Sequence, residues 1–132
     1  MLQDYVFKQP AHEHYVKDLG GGATSVRILL PGKDRIQVKL TLMKAPTGWS
    51  YKGAVYTCNE TVYIQKGKVQ IDYSKDTGDE GKLLTDNTTV IVPANGTYYV
   101  AAGRRYDFIV LEEAELLCFF SAAPEGPLPD DN

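Results

Sequence analysis

Apolar and polar residues alternate along most of this 132-residue chain. The alternation is clearest from Arg35 to Met43, where one face carries only apolar side chains: Ile36, Val38, Leu40 and Leu42. A period of two predicts an extended strand with one face turned to a core. The same period recurs in short stretches up to Ser121, and no convincing amphipathic helix interrupts it. The pattern predicts eight to ten strands, typical of a sandwich or a barrel closed on itself.

Proline and glycine turns divide the chain into its predicted elements. Strands are expected at residues 25–30, 35–43, 48–67, 69–73, 83–92, 97–101, 106–111 and 115–121, with turns at 31–34, 66–68, 93–96 and 103–105 and a short link at 112–114. Residues 1–23 lack a sustained period and end on three glycines, which we interpret as a hinge between an N-terminal arm and one domain at residues 24–123. The tail at residues 124–132 is too acidic and proline-rich for a regular element.

The predicted strand at residues 48–67 carries a carboxylate where an apolar side chain is expected. Its parity places six residues on one face: Ala54, Tyr56, Cys58, Glu60, Val62 and Ile64. Because Val62 and Ile64 are expected in the core, Glu60 points there as well. A carboxylate in an apolar interior must be paired, hydrogen-bonded, protonated or bound to a metal. Glu60 is therefore the first candidate for a functional site.

Composition excludes several kinds of partner. The net charge is −3 and the longest basic run is Arg104-Arg105, so we expect no nucleic-acid partner. Apolar runs fall far short of the roughly 20 residues of a membrane span, and the N-terminus is too polar for a signal peptide, which indicates a soluble, cytoplasmic protein. No catalytic triad, phosphate-binding loop or nucleotide fingerprint occurs. Cys58 and Cys118 are expected to be reduced thiols, with a disulfide between them as the alternative.

Two stretches of the chain resemble the motifs of the cupin superfamily. The first motif, G-x5-H-x-H-x3-E-x6-G, falls on Gly48, Ala54, Tyr56, Glu60 and Gly67, of which the glutamate and both glycines match. The second motif, G-x5-P-x-G-x2-H-x3-N, falls on Asn87, Pro93, Asn95, Tyr98 and Ala102, of which only the proline matches. Asparagine is the residue that most readily replaces glycine at positive φ. The resemblance implies an all-β cupin fold, a double-stranded β-helix forming a jelly-roll-like barrel over residues 24–123.

In the cupin superfamily, the three motif histidines and the glutamate together hold a divalent metal. Here Ala54, Tyr56 and Tyr98 stand at the histidine positions, and a phenol ligates poorly until it loses its proton near pKa ~10. The resemblance therefore implies a cupin with no metal and no other cofactor, as in cupins similar to the ethanolamine-utilisation protein or the deoxysugar epimerases. A residual iron site, as in cupins resembling ectoine synthase, is the alternative. His12 and His14 of the arm are then possible ligands, although solvated loop histidines are the simpler interpretation.

The cupin resemblance implies a cavity between the sheets with Glu60, Tyr56 and Tyr98 inside it. An apolar pocket raises a carboxylate pKa toward neutrality, which suits a general base acting beside a carbonyl, while a phenol donates to the developing oxyanion. We therefore expect an isomerase, lyase or cyclase that acts on a small organic molecule. The alternative is a non-catalytic cupin that binds a metabolite or serves in an assembly. In that case Glu60 is a structural group satisfied by tyrosine hydroxyls, Lys39 or Arg27.

Other side chains are candidates for contact with a ligand. Trp49 and Tyr51 are expected to cap the mouth of the cavity, with or without a ligand beneath them. Cys58 shares the parity of Glu60, and core packing is its alternative role. A further three residues line the cavity only if their strand turns its polar face inward: Lys39, Thr41 and Met43. Three tyrosines of the opposite parity predict sheet packing or the outer contact of a homodimer, the state that cupins commonly adopt: Tyr63, Tyr73 and Tyr99.

Overall fold

The computed structural model describes residues 15–29, 38–74 and 87–121, and its regular elements are all β-strands. The strands are β1 (Tyr15–Gly20), β2 (Ala23–Leu29), β3 (Val38–Ala45), β4 (Ser50–Ala54), β5 (Asn59–Ser74), β6 (Asn87–Pro93), β7 (Thr97–Val100) and β8 (Tyr106–Ser121). The all-β prediction is confirmed. The expected turn at 31–34, the arm histidines and the acidic tail lie outside the described residues. Within the described ranges, no helix is long and apolar enough to cross a membrane.

The strands form one antiparallel sheet whose main path runs β1-β2-β3-β8-β5-β6, with β4 beside β8 and β7 beside β5. In the described part of the chain β6 does not pair with β1, so the sheet is not the closed barrel that the strand pattern predicted. The long strands β5 and β8 pair from Asn59–Ser121 to Tyr73–Tyr106 and connect two halves of the sheet. One half adds β1, β2, β3 and β7, and the other adds β4 and β6. The two halves pack face to face and enclose the core between them. This packing requires no hydrogen bonds between the edge strands β1 and β6.

A β-bulge at Gly67 lets β5 and β8 run for 16 residues each. The sequence predicted a turn at 66–68 and a link at 112–114, and both predictions were wrong. The register between the strands shifts around Lys66 and Lys68, and Gly67 has a φ of +87°. An extra residue in one strand bends it and increases its twist without ending the pairing. The bulge therefore carries each long strand from one half of the sheet into the other.

The bulge also changes which residues of β5 point inward. Glu60 and Ile64 are buried before the bulge, whereas Val69 and Ile71 are buried after it. Even-numbered residues thus face the core before Gly67 and odd-numbered residues face it afterwards. Tyr73, which parity alone placed on the outside, consequently packs against the core.

The core between the halves is built mainly from β8 and β5. It includes Val62, Ile64, Val69 and Ile71 with Tyr106, Phe108, Val110, Ala114, Leu116, Cys118 and Phe120. The strand β3 contributes its polar face, because Lys39 pairs in register with Phe120 and Thr41 with Cys118. Lys39 is 0% exposed and Thr41 is 2% exposed. The polar face of β3 therefore points inward, in line with the inward residues of β8. The apolar row that the sequence predicted as the core face, represented by Leu40 and Leu42, lies on the outside and is half-buried.

The three glycines at positions 20–22 form the tight turn of the β1–β2 hairpin rather than a hinge. Their φ angles are +83°, +60° and +88°. A two-residue hairpin turn with positive φ at both central residues matches the right-handed twist of the strands, and glycine adopts it without steric cost. The sheet therefore already includes residues 15–20 of the segment predicted as an arm.

Candidate functional site

A cavity of about 150 Å³ lies between the two halves of the sheet, and we call it the Glu60 cavity. It brings together seven residues that the sequence predicted for the site: Glu60, Tyr56, Tyr98, Trp49, Tyr51, Thr41 and Met43. Its remaining walls come from Leu19, Ser25, Ala54, Tyr106, Phe108, Leu116, Cys118 and Phe120. Strands from both halves of the sheet thus contribute to one mostly apolar chamber.

Local structure fixes Glu60 and Tyr56 on the same wall. The strand predicted at 48–67 is interrupted at residues 55–58, which form a loop between β4 and β5. The alternation nevertheless continues through the loop, since Ala54 and Glu60 are both buried. The backbone N–H of Gly103 donates to the carbonyl oxygen of Tyr56 at 2.8 Å. This hydrogen bond ties the loop to the turn after β7 and holds Tyr56 beside Glu60.

Glu60 is a buried carboxyl group with a raised pKa. It is 5% exposed, and its Oε1 accepts a hydrogen bond from the hydroxyl of Tyr106 at 2.5 Å. Burial raises the pKa of Glu60 from 4.5 to about 7, although the Tyr106 hydrogen bond and the charge of Lys39 both lower it. Desolvation is therefore the dominant effect. Near neutral pH the group is divided between its ionised and protonated forms, as a residue that exchanges protons requires.

Lys39 and Cys58 are buried next to the cavity but are not among the residues that line it. The Nζ atom of Lys39 lies 4.6 Å from the centroid of the Phe120 ring, a cation–π contact. Cys58 and Cys118 are free thiols, as predicted. Burial raises the pKa of both, so they stay protonated and are poor nucleophiles.

Three phenols, those of Tyr56, Tyr98 and Tyr106, line the cavity. Burial raises the pKa of all three well above the usual value, and the nearby charge of Glu60 raises it further. All three therefore remain neutral. The hydroxyls of Tyr56 and Tyr98 can donate hydrogen bonds to a ligand, whereas the hydroxyl of Tyr106 already donates to Glu60. Sequence reasoning missed Tyr106. The available signal was its parity, because Tyr106 alternates in step with Phe108 along β8.

Trp49 lines the Glu60 cavity and is held in a fixed position. Its indole N–H donates to the carbonyl oxygen of Gly20 at 2.9 Å, and its ring contacts Phe108 edge-on at 6.0 Å between centroids. A Cβ at Gly21 would lie 3.1 Å from the indole, so the hairpin turn packs directly on Trp49. Tyr51 stacks on the indole at 6.4 Å and is 54% exposed. Trp49 is thus a rigid part of the cavity wall, and Tyr51 lies where the wall meets solvent.

The donors at the metal positions of the cupin motifs do not fit a divalent metal. Ala54 has no donor atom, and the phenols of Tyr56 and Tyr98 are held neutral by burial. Glu60 already accepts a hydrogen bond from Tyr106. No group of three or more His, Cys, Asp or Glu side chains suited to a metal occurs within residues 15–29, 38–74 and 87–121. The described residues therefore give no basis for a step that uses a metal.

Comparison with solved structures identifies the architecture as the cupin fold. The chain is similar to an RmlC-like cupin from Shewanella frigidimarina NCIMB 400, with a TM-score of 0.65, 14% identity and coverage of 95% of this chain and 97% of that one. It is also similar to KdgF from Halomonas sp., with a TM-score of 0.63, 12% identity and coverage of 88% and 94%. A third similar structure is a cupin superfamily protein from Desulfitobacterium hafniense DCB-2, with a TM-score of 0.61, 13% identity and coverage of 81% of this chain and 84% of that one.

These structural similarities confirm the predicted fold. Identities this low carry no information about activity. No protein-family model matches the chain, and no curated protein matches it in sequence.

Proposed function

We propose that this cupin-fold chain is an enzyme that transfers protons on a small organic molecule bound in the Glu60 cavity, without a metal. The observation that carries the proposal is the pair formed by Glu60 and Tyr106. A buried carboxyl group with a pKa of about 7 is hydrogen-bonded to a neutral phenol on the wall of an apolar cavity. A pKa near the working pH is the property that general acid–base catalysis requires.

The proposed reaction begins with Glu60 ionised. Its carboxylate takes a proton from a carbon beside a carbonyl group, and the carbonyl oxygen gains negative charge. The hydroxyl of Tyr56 or Tyr98 donates a hydrogen bond to that oxygen. Protonated Glu60 then returns the proton to another carbon in an isomerase, or to a leaving group in a lyase. In a cyclase the new carbanion attacks a second carbonyl carbon of the substrate, the electron pair of that C=O bond moves to its oxygen, and Glu60 gives its proton to that oxygen. The thiols take no part, because they stay protonated.

The cavity limits the size of the substrate. Its volume of about 150 Å³ is below the roughly 300–1,000 Å³ of pockets for drug-sized ligands. Trp49, whose indole is held by the hydrogen bond to Gly20, cannot move aside easily to enlarge the cavity. We therefore assign the substrate to small carbonyl compounds with an apolar body, and not to nucleotides or oligosaccharides.

Solvent-exchange measurements test this proposal without knowledge of the natural substrate. Small ketones, hydroxyketones and lactones are incubated with the protein in D₂O, and NMR follows the loss of hydrogen beside the carbonyl group. We expect the native protein to accelerate exchange in at least one compound, equally with and without a chelator. Glu60→Gln should lower the rate at least about a hundredfold. Glu113→Gln, at an exposed position, is the control. Exchange that survives Glu60→Gln, or that the chelator abolishes, contradicts the proposal.

A non-catalytic binding protein is the second candidate. It is favoured by the fact that Glu60 already has a protein partner, Tyr106, and so needs no ligand to satisfy it. Saturable binding of a small molecule that survives Glu60→Gln, together with no exchange in the native protein, would support this alternative. A cytoplasmic location stays a prediction from the sequence.

A further inference from the structure

A second and larger cavity, of about 450 Å³, lies beside the Glu60 cavity, and we call it the arginine cavity. It is bounded by the second part of β5, by β6 and β7, and by the turn at residues 101–105. Tyr98 and Tyr106 line both cavities and therefore form the wall between them. The volume of the arginine cavity is within the range of pockets that bind organic ligands.

Among the residues that the structure describes, two cations and no carboxylate line the arginine cavity. The cations are Arg104 and Arg105. Neither guanidinium forms an ion pair with any carboxylate in the described ranges. Asp107, the nearest acidic residue along the chain, instead accepts a hydrogen bond from the backbone N–H of Gly53 at 2.8 Å. The described lining of the cavity therefore carries two positive charges and no negative charge.

Arg105 is held in place with part of its hydrogen-bonding capacity unused. Its Nε atom is shielded from solvent and has no acceptor among the described residues. The guanidinium packs on the backbone of Gly53, where a Cβ would lie 3.1 Å from the nearest terminal nitrogen. A buried donor without an acceptor costs free energy, and an anionic oxygen in the cavity would recover it. The planar guanidinium fork matches the two oxygens of a carboxylate.

The other walls of the cavity are apolar or aromatic. Ile71 and Val100 provide aliphatic surface, and Tyr73 and Tyr98 provide rings. Such walls favour a ligand with a compact apolar body whose charged end lies against the arginines, since a charge placed elsewhere in the cavity would have to leave water without a partner.

We propose that the arginine cavity is a binding site for a small carboxylic acid, with the carboxylate on Arg105 and an apolar ring or branched chain against Tyr73 and Tyr98. This site is separate from the Glu60 cavity and goes beyond the proton transfer proposed there. A ligand in it contacts the other side of the wall formed by Tyr98 and Tyr106.

Benzoate and benzamide are suitable probes, because they share one shape and differ in charge. NMR titration of the native protein should show saturable benzoate binding with shifts concentrated at residues 98–106. Benzamide should bind at least about tenfold more weakly, the factor expected when a charge-assisted pair is lost. Equal affinity of the two probes, or no saturable benzoate binding below about 10 mM, overturns the proposal.

Variants test the role of Arg105. Arg105→Met should weaken benzoate binding at least about tenfold, and Arg105→Lys should restore part of it. Lys66→Met, at an exposed position on β5, is the matched control and should leave affinity unchanged. The native-protein comparison of the probes decides the question even if Arg105→Met does not fold. Glu60→Gln should still bind benzoate, so that failure of the proton-transfer proposal and failure of this one are distinguishable.

Discussion

At the scale of single residues, the proposed proton transfer depends on the exclusion of water from Glu60. Burial raises its pKa from 4.5 to about 7, so the folded state binds the proton more tightly than the unfolded state. Ionisation therefore reduces the free energy of unfolding as pH rises from about 4.5 to about 7, and the full reduction is present above pH 7. A shift of this size corresponds to roughly 3 kcal/mol. Such a cost is typical of a group kept for function at the expense of stability.

Glu60→Gln should remove this pH dependence. We expect the variant to match the native protein below about pH 4.5 and to be more stable by up to roughly 3 kcal/mol at pH 8. Urea unfolding at a series of pH values measures the difference, and Glu113→Gln, at an exposed site, should show little change at any pH. A loss of several kcal/mol for Glu60→Gln at neutral pH would mean that Glu60 anchors a buried cation such as Lys39, and the catalytic role would then be dropped.

The residues of the Glu60 cavity were only partly predictable. A period of two and the spacing of the cupin motifs were enough to identify Glu60, Tyr56 and Tyr98. Tyr106 was missed because its hydrogen bond to Glu60 spans 46 positions and joins the two halves of the sheet. That contact depends on how the halves pack, and no local pattern encodes it.

At the scale of elements, the long strands β5 and β8 decide the geometry of the site. The sequence Lys66-Gly67-Lys68 predicts a turn, but a glycine at positive φ serves equally in a turn and in a bulge, and here it forms a bulge. The strand β3 was assigned the wrong inward face for a related reason. Alternation shows that a strand has two different faces, but it does not show which face meets the core. In β3 the apolar row, which includes Leu40 and Leu42, lies on the outer face.

Gly67→Ala should be strongly destabilising. A Cβ at this position would lie 2.2 Å from the carbonyl oxygen of Glu113 and 2.7 Å from that of Glu112, so the paired strand would have to move. We expect a loss of about 3 kcal/mol or more in the free energy of unfolding. Gly48→Ala is the matched control, because Gly48 has the same φ of +87° but no atom within 4 Å of the added Cβ. It should lose only about 1 kcal/mol. Similar losses in the two variants would show that the close approach at the bulge is absent.

At the scale of the whole molecule, the outer face of the sheet carries a row that includes two exposed aromatic side chains. The register places Leu40, Phe119, Thr61 and Tyr99 in one row across β3, β8, β5 and β7, on the side opposite Glu60. Phe119 is 40% exposed and Tyr99 is 58% exposed. Exposed apolar rows of this kind are typical of contact surfaces between proteins. This agrees with the outer parity predicted for Tyr99, whereas Tyr73 belongs to the interior.

We predict a homodimer that buries this outer row. Light scattering at micromolar concentration should give twice the 14.6 kDa mass of one chain, and Phe119→Asp should reduce it to one chain because a charge cannot be buried there unpaired. Glu113→Gln is the control variant and should keep the mass of the native protein. A native mass of 14.6 kDa at this concentration would contradict the prediction.

The proposed function requires that the buried carboxyl group of Glu60 titrates near neutral pH. Carbon-13 NMR of the glutamate side-chain carboxyl groups, followed from pH 3 to pH 9, measures this titration, and the signal missing from Glu60→Gln assigns the resonance. We expect a midpoint of about 7 for Glu60. A midpoint at or below the ordinary 4.5 would contradict the proposed function, since it would mean that a cation or solvent stabilises the carboxylate and that Glu60 cannot exchange protons at neutral pH as proposed.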